Sequence, residues 1–354
     1  MRRPVPPTTT TVPPGRIARM EWTPWSLPGI DVRLYRAEYF DADNNPVLPD
    51  GIPPVDPSYQ FREDIVREFA WATWPHDSTL GKSDWTPMLL SGPRGSGKTS
   101  FVTQMAARCN VPVYRVNCNA GTTVRHLKGR VGAVEGRTVY VPGAATLAME
   151  APAAWLLLDE VTGLVPQVAL TLFPIMEPHG DVLLEDAQPP RYVRRSPHFR
   201  MYLTDNTLGY QQEDSRYDFS GTNADINVAL LDRIGAFSHV PYLSPTDEHQ
   251  TIASMVPTID GCDLEGIVRV ANECRRSADI VSGGFSMRMV LGWARRVAAG
   301  RVRADGSTVP WDRTTDTYML TTATSAFLSR MTSRTERDAV VEVITRVFPN
   351  VIGG

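Results

Sequence analysis

The chain has 354 residues, of which 42% are hydrophobic and 21% are charged, so it can bury a sizeable core in two or three structural units. Its formal net charge of −3 predicts no general attraction to nucleic acid or to an anionic membrane, although a local basic pore would be compatible with it. The sequence contains no apolar run that approaches the ~20 residues needed to span a bilayer. The two N-terminal arginines are not followed by the apolar run of a secretory signal. We therefore expect a cytoplasmic protein without a membrane or nucleic-acid partner.

The cysteine and histidine positions give no sign of a disulfide framework or a metal cluster. The cysteines lie far apart without CxxC spacing, which favours reduced thiols. The histidines are scattered, so no metal beyond Mg²⁺ is expected from them. The residues concerned are Cys109, Cys118, Cys262 and Cys274, and His76, His126, His179, His198, His239 and His249.

Residues 1–58 form the first predicted unit. Residues 1–15 are rich in Pro and Thr and are expected to be disordered, because they bury too little apolar surface to offset their ordering entropy. Residues 16–58 are rich in Pro, Asp and Gly, with short strand-like pieces such as Asp31–Tyr35. This composition predicts an extended arm or a small irregular subdomain.

Residues 59–243 form the second predicted unit, in which strands and helices alternate. This alternation predicts a parallel α/β sheet. Strands are expected at Pro87–Ser91, Val111–Val116, Ala154–Leu158, Phe199–Thr204 and Ala236–Val240. Helices are expected at Phe61–Trp74, Lys98–Arg108 and Val165–Met176.

Residues 244–354 form the third predicted unit, a small domain of helices only. The apolar spacing changes to a helical period after Ser244. The expected helices are Thr246–Met255, Leu264–Arg276, Phe285–Ala299, Asp312–Met331 and Arg334–Val347.

A glycine-rich loop follows the first core strand and fits G-x-x-x-x-G-K-[ST], the Walker A motif. Glycines let backbone N–H groups curl around phosphate oxygens, and the next helix adds its positive N-terminal end. Lys98 is placed to reach the β and γ phosphates, and the Thr99 hydroxyl to hold Mg²⁺. The predicted ATP-binding residues are Gly92, Pro93, Arg94, Gly95, Ser96, Gly97, Lys98, Thr99 and Ser100. The alternative is a flexible glycine-rich turn, which the flanking strand and helix disfavour.

A second motif is the apolar run Trp155–Leu158, which ends in two acids as Walker B requires. The end of this strand would point Asp159 toward Mg²⁺, while Glu160 could polarise the attacking water. Thr99 and Asp159 are thus the predicted Mg²⁺ residues. Taken alone, the run could equally be a buried strand capped by surface acids, but its position downstream of Walker A favours the catalytic interpretation.

A third strand, Phe199–Thr204, leads into Asp205 and Asn206. An amide at this strand end could orient the lytic water between the γ phosphate and Glu160. In isolation Asn206 would more often be a turn residue.

With these motifs in order, the chain resembles the MoxR-like branch of the AAA+ ATPases, and within it the CobS family of aerobic cobaltochelatase ATPase subunits. The resemblance extends from about Val55 to the C-terminus. It implies an AAA+ P-loop core with a parallel sheet and hairpin insertions, followed by a helical lid. The residues that carry it, besides Walker A and B, are Val55–Phe61, Tyr114–Cys118, Ser196–Arg200, Asn206–Gly209, Tyr217, Ser220–Asn223, Ile226–Asn227, Leu231–Arg233, Ser286–Arg288 and Trp293–Ala294.

The resemblance also implies roles for single residues. Asn206 matches sensor 1, Arg288 matches sensor 2 on the lid, and Arg233 matches the arginine that reaches a neighbouring subunit's nucleotide. A ring, usually a hexamer, is therefore implied, with ATP and Mg²⁺ as cofactors. The residues alone leave other interpretations open: Arg233 could pair with Asp232, and Arg288 could be a solvated arginine like Arg295 and Arg296.

Two segments are expected to be hairpins that project from the ring, Gly129–Val141, with a Glu135-Gly136 turn, and Asp181–Val193. Arginines in and beside them could grip an acidic partner, or could simply be solvated hairpin tips. These arginines are Arg130, Arg137, Arg191, Arg194 and Arg195.

The sequence departs from the CobS pattern at Asp205, which replaces a small residue, and in the loop Tyr210–Ser220, which lacks the usual Gly-Asp start. An added carboxylate beside Asn206 could slow hydrolysis or alter metal binding.

Three functions follow from the residues and the resemblance. The first is an ATPase subunit of a chelatase-type complex, which inserts a metal into a tetrapyrrole with a von Willebrand A-domain partner and a separate large catalytic subunit. The second is a MoxR-type remodelling chaperone acting on a protein client. The third is a nucleotide-binding scaffold without turnover, which rests only on Asp205 and the altered loop. A DNA-translocating function is disfavoured by the acidic charge balance.

Overall fold

The computed structural model describes residues 11–13, 16–74, 85–134, 136–177, 180–206, 228–276, 285–302, 308–311 and 317–349. Within these ranges strands and helices alternate from residue 63 to residue 239, and helices predominate after it. The strands are β1 (Thr11–Val12), β2 (Arg19–Trp25), β3 (Leu34–Phe40), β4 (Pro46–Pro49), β5 (Met88–Ser91), β6 (Val113–Asn117), β7 (Gly129–Val134), β8 (Arg137–Pro142), β9 (Ala153–Asp159), β10 (Asp181–Leu184), β11 (Arg191–Arg194), β12 (His198–Asp205), β13 (Ala236–His239), β14 (Arg301–Val302) and β15 (Thr308–Val309). The helices are α1 (Glu63–Thr73), α2 (Lys98–Cys109), α3 (Val124–Leu127), α4 (Ala144–Glu150), α5 (Pro166–Leu170), α6 (Phe173–Met176), α7 (Val228–Leu231), α8 (Pro245–Met255), α9 (Gly261–Arg276), α10 (Met287–Ala299), α11 (Tyr318–Ala326) and α12 (Arg334–Val347).

The central sheet has the strand order β13-β5-β12-β9-β6, and every neighbouring pair in it is parallel. The parallel α/β sheet expected from the sequence is therefore confirmed. The inner strands β5, β9 and β12 are buried on both faces, whereas the edge strands β6 and β13 have exposed positions. Leu156 and Leu158 of β9 pack in one apolar cluster, whereas Trp155 and Leu157 pack in the other. The register pairs Asn117 with Asp159 and Asp205 with Ser91, so the polar strand ends meet at one edge of the sheet.

The N-terminal segment is more regular than expected. The four strands β1 to β4 form a sheet of order β1-β4-β3-β2 instead of an irregular arm. Leu34, Ala37 and Tyr39 are buried and join the same apolar cluster as α1 and α2. The Trp22 side chain donates a hydrogen bond to His198 at 3.1 Å, which ties this sheet to β12. Of the segment expected to be disordered, residues 11–12 form β1 and pair with β4, while residues 1–10, 14 and 15 lie outside the described residues.

Two further expectations in the core have clear outcomes. Both hairpins are confirmed, as the antiparallel pairs β7–β8 and β10–β11. The single helix expected at Val165–Met176 is wrong, because the segment forms the two short helices α5 and α6. Pro174 explains the break, since its ring conflicts with the carbonyl four residues earlier and it has no N–H to donate.

Helices α8 to α12 pack around a cluster of their own, centred on Trp293, Phe285 and Phe327. We call these helices the lid. The lid also contains the short antiparallel pair β14–β15, which the expectation of helices alone missed. The helix expected at Asp312–Met331 is shorter, since α11 covers Tyr318–Ala326 and residues 312–316 lie outside the described residues. None of the described helices is long and apolar enough to cross a membrane.

Candidate nucleotide site

The glycine-rich loop connects β5 to α2, the order that the Walker A interpretation requires. Gly95 and Gly97 have φ values of 73° and 98°, in the left-handed region that side chains with a Cβ rarely adopt. A Cβ on Gly97 would meet no atom within 4 Å, so the loop leaves open space in front of the α2 N-terminus. The positive end of the helix dipole faces this space, which makes it suited to an anion.

Lys98 is buried at the base of this loop and donates three hydrogen bonds. Its ammonium group contacts the carbonyl oxygens of Gly92 at 2.7 Å and Pro93 at 2.9 Å, and Oδ1 of Asn206 at 2.9 Å. Burial lowers the pKa of Lys98 to about 8, against the opposing pull of the carboxylates of Asp205, Asp159 and Glu160. Since the ammonium has three protons, a phosphate can gain one only if Lys98 releases an acceptor that it now holds.

The lowered pKa of Lys98 predicts that nucleotide affinity falls as the pH rises above about 8. The ammonium is the form that binds phosphate, so above this pH binding must first return a proton to Lys98. Affinity should then fall by up to about tenfold per pH unit. Titration of a fluorescent ATP analogue between neutral and alkaline pH measures this. The variant Lys98→Arg keeps its charge throughout and should bind with a flat pH profile; an equal decline in both proteins would contradict the assignment.

Asp159 lies at the end of β9, where it contacts the loop. Its Oδ1 accepts hydrogen bonds from the hydroxyls of Thr99, at 2.6 Å, and Thr204. Burial acts to raise the pKa of the Asp159 carboxyl, but the bonds from Thr204 and Thr99 and the charge of Arg115 outweigh it and lower that pKa. The carboxyl is therefore ionised at neutral pH, as an ion ligand must be.

Arg115 is a contact of this site that the sequence interpretation missed. Its guanidinium, on β6, hydrogen-bonds to Oδ2 of Asp159. In the sequence, Arg115 stands out only as part of the family motif Tyr114–Cys118. Its contact with Asp159 depends on the register of β6 against β9. The guanidinium of Arg115 therefore occupies Oδ2 of Asp159, the carboxylate oxygen that the hydroxyls of Thr99 and Thr204 do not contact.

Substitution of Arg115 by glutamine is predicted to lower the Mg²⁺ concentration needed for nucleotide uptake by severalfold. The charge of Arg115 opposes a second cation at Asp159, and glutamine removes that charge while keeping a hydrogen-bonding group. A magnesium titration of nucleotide-analogue binding would show the shift. Arg125→Gln, at an exposed position on α3, is the matched control and should not move the midpoint. An unchanged midpoint in Arg115→Gln would argue against the competition.

Glu160 and Asn206 meet in front of these residues. Glu160 adopts φ 59° and ψ 54°, a left-handed conformation that is costly for glutamate and is held by its N–H bonding to Thr204 Oγ1 at 3.1 Å. The Asn206 side-chain amide donates to Glu160 Oε1 at 3.3 Å and, as noted, accepts from Lys98 through its oxygen. Asn206 thus links the ammonium group of Lys98 to the carboxylate of Glu160.

Asp205, the residue that departs from the family pattern, is fully buried. Its Oδ1 accepts a hydrogen bond from Thr162 at 2.7 Å, and the residue does not line the cavity in front of the loop. Its charge acts on the site by favouring the protonated form of Lys98.

A cavity of about 580 Å³ joins these groups to the lid. Of the predicted binding residues, Arg94 to Ser100 and Asp159 line it, together with Glu160 and Asn206. Gly92 and Pro93 do not, and contribute through the carbonyls that hold Lys98. Apolar residues that the sequence interpretation did not assign to the site also line it, namely Tyr59, Ile65, Val240, Met255, Met287 and Leu291. The lining of the cavity is therefore partly charged and partly apolar.

Arg288 lies at the start of α10 and lines the same cavity, and its charge acts on Lys98. Arg295 and Arg296 are exposed and do not line it. Arg288 is thereby distinguished from its solvated neighbours on α10.

Arg233 does not line the cavity. Its guanidinium bonds to Glu177 at 2.8 Å and to the Ala229 carbonyl at 2.8 Å, and lies 4.2 Å from the centre of the Phe173 ring. The ion pair considered from the sequence was with Asp232, whereas the structure shows one with Glu177. A role for Arg233 at a nucleotide would therefore have to be at another subunit's site.

Three arginines in and beside the hairpins make contacts within the chain, so they are less available to an acidic partner than a basic surface cluster would be. Arg191 pairs with Glu150, and Arg194 forms a bidentate pair with Asp181 at 3.1 Å. Arg195 is partly buried, donates to the Ile175 carbonyl and lies over the Trp85 ring, and burial lowers its pKa. Arg130 and Arg137 are exposed on β7 and β8. Residues 207–227, which hold several family motifs, lie outside the described residues.

The residues present fit ATP with Mg²⁺. Ser96 lines the cavity, and its buried hydroxyl finds no hydrogen-bond partner within the described part of the chain, so a phosphate oxygen that reached it would satisfy it. Hydroxyl and carboxylate oxygens such as those of Thr99 and Asp159 are the ligands that Mg²⁺ prefers. The apolar residues of the cavity lining would suit a base.

The chain is similar to several known proteins. A family model described as "AAA domain (dynein-related subfamily)" matches residues 87–219. Aerobic cobaltochelatase subunit CobS of Sinorhizobium sp is 29% identical over 278 residues, covering 75% of this chain and 77% of CobS. Denitrification regulatory protein NirQ of Stutzerimonas stutzeri is 33% identical over 223 residues, covering 60% of this chain and 73% of NirQ. Among solved structures, the RuvB Holliday junction branch migration motor of Thermotoga maritima matches with a TM-score of 0.45 and 14% identity, covering 77% of this chain and 71% of RuvB.

The length of the NirQ match, with the P-loop core and its hairpins, makes the family clear. The chain belongs to the MoxR-like AAA+ ATPases.

Proposed function

We propose that this chain hydrolyses ATP as a subunit of a cytoplasmic ring, usually a hexamer in this class, and that the ring drives a chelatase-type complex. In that complex it would act with a von Willebrand A-domain partner and a separate large subunit that inserts the metal into a tetrapyrrole. The observation that carries the ATPase part is the single cavity that gathers Lys98, Thr99, Asp159, Glu160 and Arg288. The similarity to CobS over three quarters of the chain supports the chelatase part.

The contacts suggest a separate role in ATP binding and hydrolysis for each of these residues. Lys98 and the loop N–H groups hold the phosphates, and Thr99 and Asp159 hold Mg²⁺. Mg²⁺, when bound, neutralises charge that develops on the phosphate oxygens. When Lys98 turns toward a phosphate it gives up acceptors, and Asn206 is one of them. Asn206 would then be free to orient a water molecule between the γ phosphate and Glu160.

Glu160 would accept the proton of that water as it attacks phosphorus. In the structure its carboxylate is exposed to the cavity and already in reach of Asn206. Arg288 from the lid and Arg233 from a neighbouring subunit would add positive charge at the transferring phosphoryl group. Because Arg233 does not line the cavity of its own subunit, a ring would be needed to bring it to a nucleotide.

The chelatase function is tested by reconstitution. The purified chain, its von Willebrand A partner and the large subunit should together metallate a corrinoid with Co²⁺ only when ATP is supplied. The same mixture with Glu160→Gln is the matched control and should give no product. A mixture that hydrolyses ATP at the rate of an active ring but forms no metallated corrinoid would reject the chelatase role and leave the ATPase assignment standing.

A second candidate is a remodelling ATPase that acts on a protein client. The similarity to NirQ, which is named a denitrification regulatory protein and not a chelatase subunit, keeps a function other than chelation in view. The ring and the partner would be the same, and the client would differ. Affinity purification that recovers a von Willebrand A protein without a chelatase subunit would support this function over the first.

A further inference from the structure

The glycine-rich loop makes two contacts beside the cavity wall, one with the segment that leads into the lid and one with the start of α10. Arg94, Gly95 and Tyr242, which take part in these contacts, also line the cavity. The carbonyl of Arg94 accepts a hydrogen bond of 3.1 Å from the hydroxyl of Tyr242, which lies in the connection between β13 and α8. On the other side of the loop, a Cβ on Gly95 would lie 2.8 Å from the Cβ of Ser286, the residue before α10. The loop and the lid are thus in direct contact.

Arg275, at the end of α9, connects these two points. Its guanidinium forms two hydrogen bonds of 2.7 Å with the Glu248 carboxylate on α8, and its Nε donates to the Phe285 carbonyl at 2.7 Å. The same guanidinium lies 4.1 Å from the centre of the Tyr242 ring. One side chain therefore joins α8, α9, the start of α10 and the tyrosine that reaches the loop.

This ion pair is almost fully withdrawn from water, with Arg275 8% and Glu248 1% exposed. A buried pair of this kind adds little net stability, because the loss of hydration offsets the attraction between the charges. Its specific contribution is geometric, since the planar guanidinium fixes its partners at defined angles. The lid already has an apolar cluster around Trp293 to hold its helices together.

The contacts of Arg275 extend to Arg288 along the start of α10. Phe285 is fixed by Arg275, Ser286 caps α10 by accepting the N–H of Met289 at 3.3 Å, and Arg288 is the second residue of that helix. We propose that Tyr242, Arg275 and Glu248 are positioning residues that set Arg288 relative to the glycine-rich loop and so couple the bound nucleotide to the lid. The inference rests on the proposed ATPase function, in which Arg288 acts on the γ phosphate.

The sharpest test is Tyr242→Phe, which keeps the ring on Arg275 and removes only the hydroxyl that bonds to Arg94. The ratio of affinities for a non-hydrolysable ATP analogue and for ADP should fall about fivefold, the size expected for the loss of one hydrogen bond. Arg275→Lys keeps the charge but loses the bidentate geometry, and should lower the ratio further. The measured quantities are the two dissociation constants and the melting temperature.

Tyr318→Phe is the matched control. Its hydroxyl makes a hydrogen bond within the lid, to Asp263 at 2.8 Å, and unlike Tyr242 the residue does not line the nucleotide cavity. It should lower the melting temperature and leave the ratio of affinities unchanged. If Tyr242→Phe behaves in the same way, its role is merely structural and the proposal is overturned.

A double substitution shows whether Tyr242 acts through Arg288. In an Arg288→Ala background, Tyr242→Phe should cause no further change in the ratio, because the group that it positions is gone. A second fivefold loss on top of Arg288→Ala would overturn the proposed route. A wild-type protein that binds neither nucleotide would instead reject the proposed function itself.

Discussion

Rings in which Glu160 is replaced by glutamine are expected to take up ATP but to hydrolyse it at least about a hundredfold more slowly, since a positioned general base typically contributes about 10²–10⁴ in rate. Glutamine keeps the shape and the hydrogen bond from Asn206, but it cannot accept a proton. The backbone of residue 160 stays fixed through its bond to Thr204. Binding should therefore survive while turnover is lost.

Steady-state phosphate release and binding of a fluorescent ATP analogue separate these two properties. Glu185→Gln, in the exposed turn between β10 and β11, removes a carboxylate far from the cavity and should match wild type in both assays. Turnover in Glu160→Gln within tenfold of wild type would show that another group takes the proton.

The conformation of Glu160 adds weight to this prediction. Among the described residues with a side chain, positive φ values occur only at Asn44, Asn110 and Glu160. Asparagine tolerates this region, whereas glutamate does not do so readily. A left-handed backbone that is costly for its residue persists only where the surrounding structure imposes it. At residue 160 this backbone conformation places the glutamate in the lining of the cavity.

The sequence was sufficient for the parts of the site that follow from local patterns and from strand direction. Lys98 and Thr99 belong to one continuous motif, and Asp159 and Asn206 end neighbouring strands. Because parallel strands place their carboxyl ends at one edge, these residues could be expected to meet without knowledge of the register. The core sheet itself was predictable for the same reason.

The contacts that the sequence did not predict depend on packing between distant segments. Arg115 reaches Asp159 only because β6 and β9 pair in one particular register. Arg275 and Glu248 are 27 residues apart and meet on packed helices, with no periodic signal that marks them as partners. The N-terminal sheet was missed because the Pro, Asp and Gly residues of this segment favour an irregular arm, and because the buried positions Leu34, Ala37 and Tyr39 do not follow a strict alternation.

The second large effect concerns Arg233. Replacing it with alanine should lower ATP turnover by roughly 10³–10⁵, the range found for arginine fingers. In its own subunit Arg233 is held on Glu177 and stacked on Phe173, away from the cavity. The guanidinium is partly exposed and held by these contacts, so to act on a nucleotide in the next subunit it would exchange Glu177 for a phosphate oxygen. Asp232→Asn, at the exposed neighbouring position, is the control and should hydrolyse ATP at the wild-type rate.

A mixing experiment distinguishes action on a neighbour from action within one subunit. Rings of Arg233→Ala alone and of Glu160→Gln alone should both be inactive. In mixed rings, an Arg233→Ala subunit supplies an intact Glu160, and a Glu160→Gln neighbour supplies an intact Arg233 to the same site. Partial recovery of ATP turnover on mixing is therefore expected if Arg233 acts across the interface. Mixed rings as inactive as the parents, despite subunit exchange shown by labelled chains, would place Arg233 outside the neighbour's site and leave its bond to Glu177 as a structural contact within one subunit.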